Sequence, residues 1–104
     1  MTQRKAAKGP KLGSIIVPIT TFAPEPVEIL KEIKVVVQND EDEYIATFFD
    51  ANVNAGGCNQ VEAFENLKDL ILSRYDYLNS QPPEKLGPAL AKQISVLREF
   101  IRRK

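Results

Sequence analysis

From Ile33 the chain alternates with period two: Ile33, Val35 and Val37 fall on one side, Lys34, Val36 and Gln38 on the other. β-Branched residues dominate the run, which predicts a strand. Asn39-Asp40-Glu41-Asp42 predicts a four-residue turn, because short polar side chains bond their own backbone. A second strand over Glu43–Asp50 returns against the first. With Gln38 opposite Glu43, Val37 faces Tyr44, Val35 faces Ala46 and Ile33 faces Phe48, so apolar meets apolar across the hairpin. Asn52–Gly56 predicts a short third strand with Val53 and Ala55 on one side.

The period then changes. Asn59 is a good N-cap, and Glu62 three residues on is placed to reach back toward the cap amide. Phe64, Leu67, Ile71, Tyr75 and Leu78 recur at helical spacing, predicting a helix to about Asn79. Pro82-Pro83 and Gly87-Pro88 punctuate the chain, and Pro88 suits the first turn of a final helix over 88–103. Its stripe is Leu90, Ile94, Leu97 and Ile101, with Arg102-Arg103-Lys104 complementing the negative end of its dipole. Three strands followed by two helices define the expected fold class: α+β, two-layer, a three-stranded antiparallel meander with two helices after it (βββαα).

Residues 1–24 read as a basic, proline-containing arm ahead of a domain over 25–104. Pro18, Pro24 and Pro26 exclude helix interior and central strand and keep the stretch extended. Ile15, Ile16, Val17, Ile19 and Phe22 are too apolar for a freely solvated tail, so this stretch is expected along an edge or over a hydrophobic face.

One helix covers one face of the hairpin. The opposite face is not properly polar: Val36, Ile45 and Phe49 stand among Lys34, Gln38, Glu43 and Thr47, with Val36 expected across from Ile45. A sheet with one face in water should read apolar-in and polar-out. An apolar strip of this kind marks an interaction site unless the chain covers itself. Val36, Ile45 and Phe49 are therefore the candidate partner interface, and a homodimer is the favoured alternative to self-coverage.

Composition narrows the chemistry. At 104 residues, with 43% hydrophobic and 27% charged residues, the chain has the make-up of one soluble globular domain. It contains no histidine, which removes the commonest general base and metal ligand, and a Cys–His nucleophile with them. No catalytic residue, metal site or cofactor is expected. The acidic run 40–43 lacks the turn glycine and distant Glu of an EF-hand loop and reads as a solvated turn. Gly56-Gly57 lacks any phosphate-loop motif and reads as turn chemistry. Cys58, the only cysteine, precedes a helix N-terminus that would lower its pKa, and a lone thiol suits a reducing, cytoplasmic setting. Net charge is zero but unevenly spread: basic over 1–24, strongly acidic over 25–50, mildly basic after that. Arg4, Lys5, Lys8 and Lys11 are candidate phosphate contacts, so a small nucleic-acid-binding regulator is the second reading. The run Ile15-Ile16-Val17, broken by Pro18, is too short to span a bilayer, so no membrane partner is expected.

The segment Tyr44-Ile45-Ala46-Thr47-Phe48-Phe49-Asp50, then a short strand, Gly57 and Asn59 to Leu67, resembles the core of the HicB-like antitoxin family. Tyr44, Ala46, Asp50, Gly57, Glu62, Ala63 and Asn66 fall on the family's pattern, with Asn59 where its capping Thr stands. The resemblance covers about residues 32–79. It implies a non-enzymatic protein that binds and neutralises a small RNase-type toxin. Many members also bind operator DNA through a further helix-turn-helix or ribbon-helix-helix. Here one helix follows the core, which fits a stand-alone HicB-like branch without that DNA-binding domain.

Overall fold

A computed structural model describes residues 13–104. Its class is α+β: an antiparallel sheet followed by two helices. The strands are β1 (Ile15–Ile19), β2 (Val27–Ile29), β3 (Ile33–Asp40), β4 (Glu43–Phe48), β5 (Val53–Gly57) and β6 (Ile101–Arg103). The helices are α1 (Gln60–Ser80) and α2 (Pro88–Phe100). β3, β4 and β5 form the expected meander, but the sheet has a fourth strand. β1 pairs antiparallel with β3, giving the order β1-β3-β4-β5, and β2 pairs with β6 in a separate two-stranded ribbon. Pro18 is accommodated because β1 is an edge strand, where a missing N–H leaves no ladder bond unmade. Residues 15–22, read from the sequence as arm, thus enter the folded body, with Ile19 and Phe22 in the core.

The hairpin register differs from the expected one by two residues. Asp40 pairs with Glu43, so Val37 lies opposite Ala46 and Val36 opposite Thr47, not Ile45. The turn is Glu41-Asp42 alone, made possible by Glu41 at φ 59°. The polar run 39–42 suggested a longer loop, but extending the ladder through Asn39 and Asp40 satisfies more backbone groups. A two-residue slip preserves parity, so each side chain keeps its predicted face. β4 also ends earlier than expected. Phe49–Ala51 turn into a 3-10 segment, and Asn52 at φ 56° redirects the chain into β5.

One face of the sheet carries the core. Ile33, Val35, Val37, Ala46, Phe48 and Val53 are buried there against Ala63, Leu67 and Ile71 of α1. α1 starts where expected: Asn59 Oδ1 accepts from the Glu62 amide at 2.8 Å. Gly57 lets this start approach closely, since a Cβ on it would stand 2.4 Å from the Ala63 nitrogen.

α2 packs beside α1 through Ile94, Leu97 and Phe100. Leu90, counted in its predicted stripe, is 40% exposed. The helix stops at Phe100, short of the expected 103. Ile101 is buried as the first residue of β6, whose backbone pairs with Val27-Glu28-Ile29. The basic cluster beyond it therefore does not cap a helix. Arg102 Nη2 lies 2.6 Å from Glu28 Oε1, and Arg103 bridges Glu25 and Asp76. Among the described residues no helix is long and apolar enough to cross a membrane.

Candidate functional site

Ladder parity sorts the outward side chains of the four-stranded sheet. Ile16 and Pro18 come from β1, Lys34, Val36 and Gln38 from β3, Glu43, Ile45 and Thr47 from β4, Asn54 and Gly56 from β5. Two cross-strand rows form the centre. One row is Ile16, Val36, Thr47 and Asn54; the next is Gln38, Ile45 and Gly56. Val36 and Ile45 are diagonal neighbours, each half-buried by its own sheet. Thr47, between Val36 and Asn54, is 8% exposed, and Ile16 is 67% exposed. Both helices pack on the other face, so no described helix or strand stacks on this one.

Two of the three candidate interface residues thus meet on this surface. Phe49 does not join them. It sits in the 3-10 segment after β4, 65% exposed, on the lip of a groove of about 550 Å³ whose opposite wall is Leu90 and Val96 of α2. That groove is braced underneath. Arg74 Nη1 donates to Gln93 Oε1 at 2.8 Å, and Gln93 Nε2 donates to the Ala51 carbonyl at 2.8 Å. Ile16, absent from the predicted interface, extends the strip across β3. Its signal was present in the apolar run 15–17, but only pairing with β3 assigns it a face. Arg4, Lys5, Lys8 and Lys11 lie outside the described residues.

Charge on the outward face is polarised along the strands. Lys34 stands at one end and Glu43 at the other, both exposed. Glu43 lies over Gly56, where a Cβ would meet its Oε1 at 3.2 Å. Beyond it, Asp40 to Glu43, Cys58, Glu62 and Asn66 line an open acidic recess of about 720 Å³. Among the described residues no group of three or more His, Cys, Asp or Glu side chains is placed to hold a metal ion.

Electrostatics in that recess reverse the expectation for Cys58. The thiol is pushed above its ordinary value, first by its hydrogen bond to Glu62 and then by the charges of Glu62 and Glu43. A carboxylate at a helix N-terminus opposes the dipole's pull on a neighbouring thiol, because two negative charges there repel. Glu62 is that carboxylate: its Oε1 accepts from the Cys58 amide, one residue before the cap, and that bond holds its carboxyl below the usual range. Asn66 Nδ2 completes the corner, donating to the Gly56 carbonyl at 2.9 Å. Through these bonds Glu62 and Asn66 fasten the start of α1 to the end of β5.

No family model, curated protein or solved structure matches the chain.

Proposed function

We propose that this chain is a non-enzymatic protein-interaction module of HicB-like type, and that its working surface is the outward face of the sheet. The observation that carries the reading is the strip Ile16–Val36–Ile45. It is apolar at the centre of a sheet face on which no described element stacks. Water contact with such a strip is costly per unit area, and burying it against another protein recovers that cost. The absence of histidine and the raised pKa of the exposed thiol both weigh against acid–base or thiolate catalysis.

The special case implied by the resemblance is antitoxin activity: binding and neutralising a small ribonuclease. A nucleic-acid role gains nothing from the basic residues near the end of α2, because Arg102 and Arg103 are paired with Glu28, Glu25 and Asp76.

The test replaces Ile45 with Asp in the full chain. The protein is purified alone and mixed with a small ribonuclease as the candidate partner. The expected result is a complex, with itself or with that protein, which Ile45→Asp abolishes while the circular dichroism spectrum is kept. A wild-type chain that is strictly monomeric and holds nothing refutes the reading.

A further inference from the structure

We infer that the occupant of the outward face is a second copy of this chain, packed sheet on sheet about a two-fold axis that runs across the strands. The inference rests on the interaction reading above and adds the identity and orientation of the partner. Two identical faces can stack with the axis along the strands or across them. The choice is set by Lys34 and Glu43, which lie six positions apart along the ladder, because Glu43 pairs with Asp40. That spacing is about 20 Å, with the apolar strip between the two charges.

An axis across the strands reverses the second sheet end for end. Lys34 of each copy then lies over the Glu43 end of the other, twice per dimer, and Val36 of each approaches Ile45 of the other. An axis along the strands superposes like ends instead, bringing Glu43 of each copy to the Glu43 end of the other and Lys34 to the Lys34 end. The face is thus complementary to itself in one setting and repulsive in the other. Lys34 and Glu43 form no ion pair among the described residues, so neither charge is already neutralised by a neighbour described here. Edge pairing is the poorer route to the same dimer. Pro18 removes a donor from β1, and at the other edge the Gly56 carbonyl of β5 is taken by Asn66. Four strands of about five residues give a patch roughly 19 Å by 17 Å, about 320 Å² per copy and below the size of stable specific interfaces, so the dimer is a weak, reversible one.

The experiment is sedimentation equilibrium of the full chain over a range of concentrations. Lys34→Glu and Glu43→Lys are each expected to weaken self-association at least tenfold, because each replaces both cross-copy attractions by repulsions. An equimolar mixture of the two variants is expected to dimerise again, as is the double variant. Both positions are exposed, so the fold is unaffected. A mixture no tighter than its components overturns the orientation, even where Ile45→Asp still dissociates the wild type and upholds the face. A monomer at every concentration overturns the second copy as occupant. The interaction reading then stands only if the candidate ribonuclease binds and Ile45→Asp releases it.

Discussion

The ring of Phe48 on β4 meets the ring of Phe100 at the end of α2 edge to face, with centroids 5.0 Å apart and planes at 87°. Both are buried, and this contact ties the sheet to the second helix. The Phe100 carbonyl also accepts from the Leu30 amide at 2.7 Å, so the same residue anchors the β2–β6 ribbon. Phe100→Ala is expected to cost about 3–5 kcal/mol, read from urea denaturation. Val61→Ala, at a residue 70% exposed, is the control and should move the midpoint little.

Arg103 fastens three segments. Its Nε and Nη2 reach Asp76 Oδ1 and Oδ2 at 3.1 and 2.6 Å, and its Nη1 reaches Glu25 Oε1 at 3.0 Å. These bonds hold the guanidinium's pKa above its ordinary value. The site is partly solvated, so Arg103→Ala should cost only about 1 kcal/mol. Arg103→Lys keeps the charge but loses the planar fork, and should recover less than half of that loss. Thermal melting of the three proteins at low and high salt checks both statements.

Two adjacent glycines should respond differently to alanine. At Gly57 the added methyl meets the Ala63 backbone at 2.4 Å, which only movement of α1 relieves. Gly57→Ala is expected to destabilise by about 1–3 kcal/mol. At Gly56 the nearest atoms belong to the flexible Glu43 carboxylate, and Gly56→Ala should be nearly neutral. Equal losses at both positions would show that α1 does not sit this close to β5.

Glu62 predicts a pH signature. Its folded pKa is depressed below 4.5 by the Cys58 amide, so its contribution to stability is present above pH 4.5. It is lost as pH falls through the folded value. Glu62→Gln should therefore flatten the fall of stability with acid below pH 4.5. The same change removes the main cause of the raised Cys58 pKa, so alkylation of the thiol at pH 8 should become faster.

The hairpin shows where pattern and structure part. Period two assigned Ile33, Val35, Val37, Ala46 and Phe48 to one face, and all five are buried there. The register escaped because a slip by two leaves that alternation unchanged, and turn composition was its only other guide. Ile101 shows a different limit. Its spacing from Ile94 and Leu97 continues a helical stripe, yet it opens β6, because three residues more than seventy positions upstream offer it a strand to pair with. No local window contains that information.

The candidate interface divides in the same manner. Val36 and Ile45 were legible because each breaks an otherwise polar face, and that needs only parity. Ile16 and Phe49 were not, since one gains its face by pairing with β3 and the other loses it when the chain turns at residue 49.

By itself, then, the amino-acid sequence determined the elements built on local forces: the meander faces, the Asn59 cap, the Pro88 helix start and the lack of histidine chemistry. Those depend on side-chain alternation, backbone bonding and residue inventory, all readable within a few positions. Only the tertiary structure decided the fourth strand, the β2–β6 ribbon and the opposed charges of Lys34 and Glu43 at the two ends of one apolar strip. Such features come from pairing between distant segments, where the energy depends on which backbones meet and not on what either segment prefers alone.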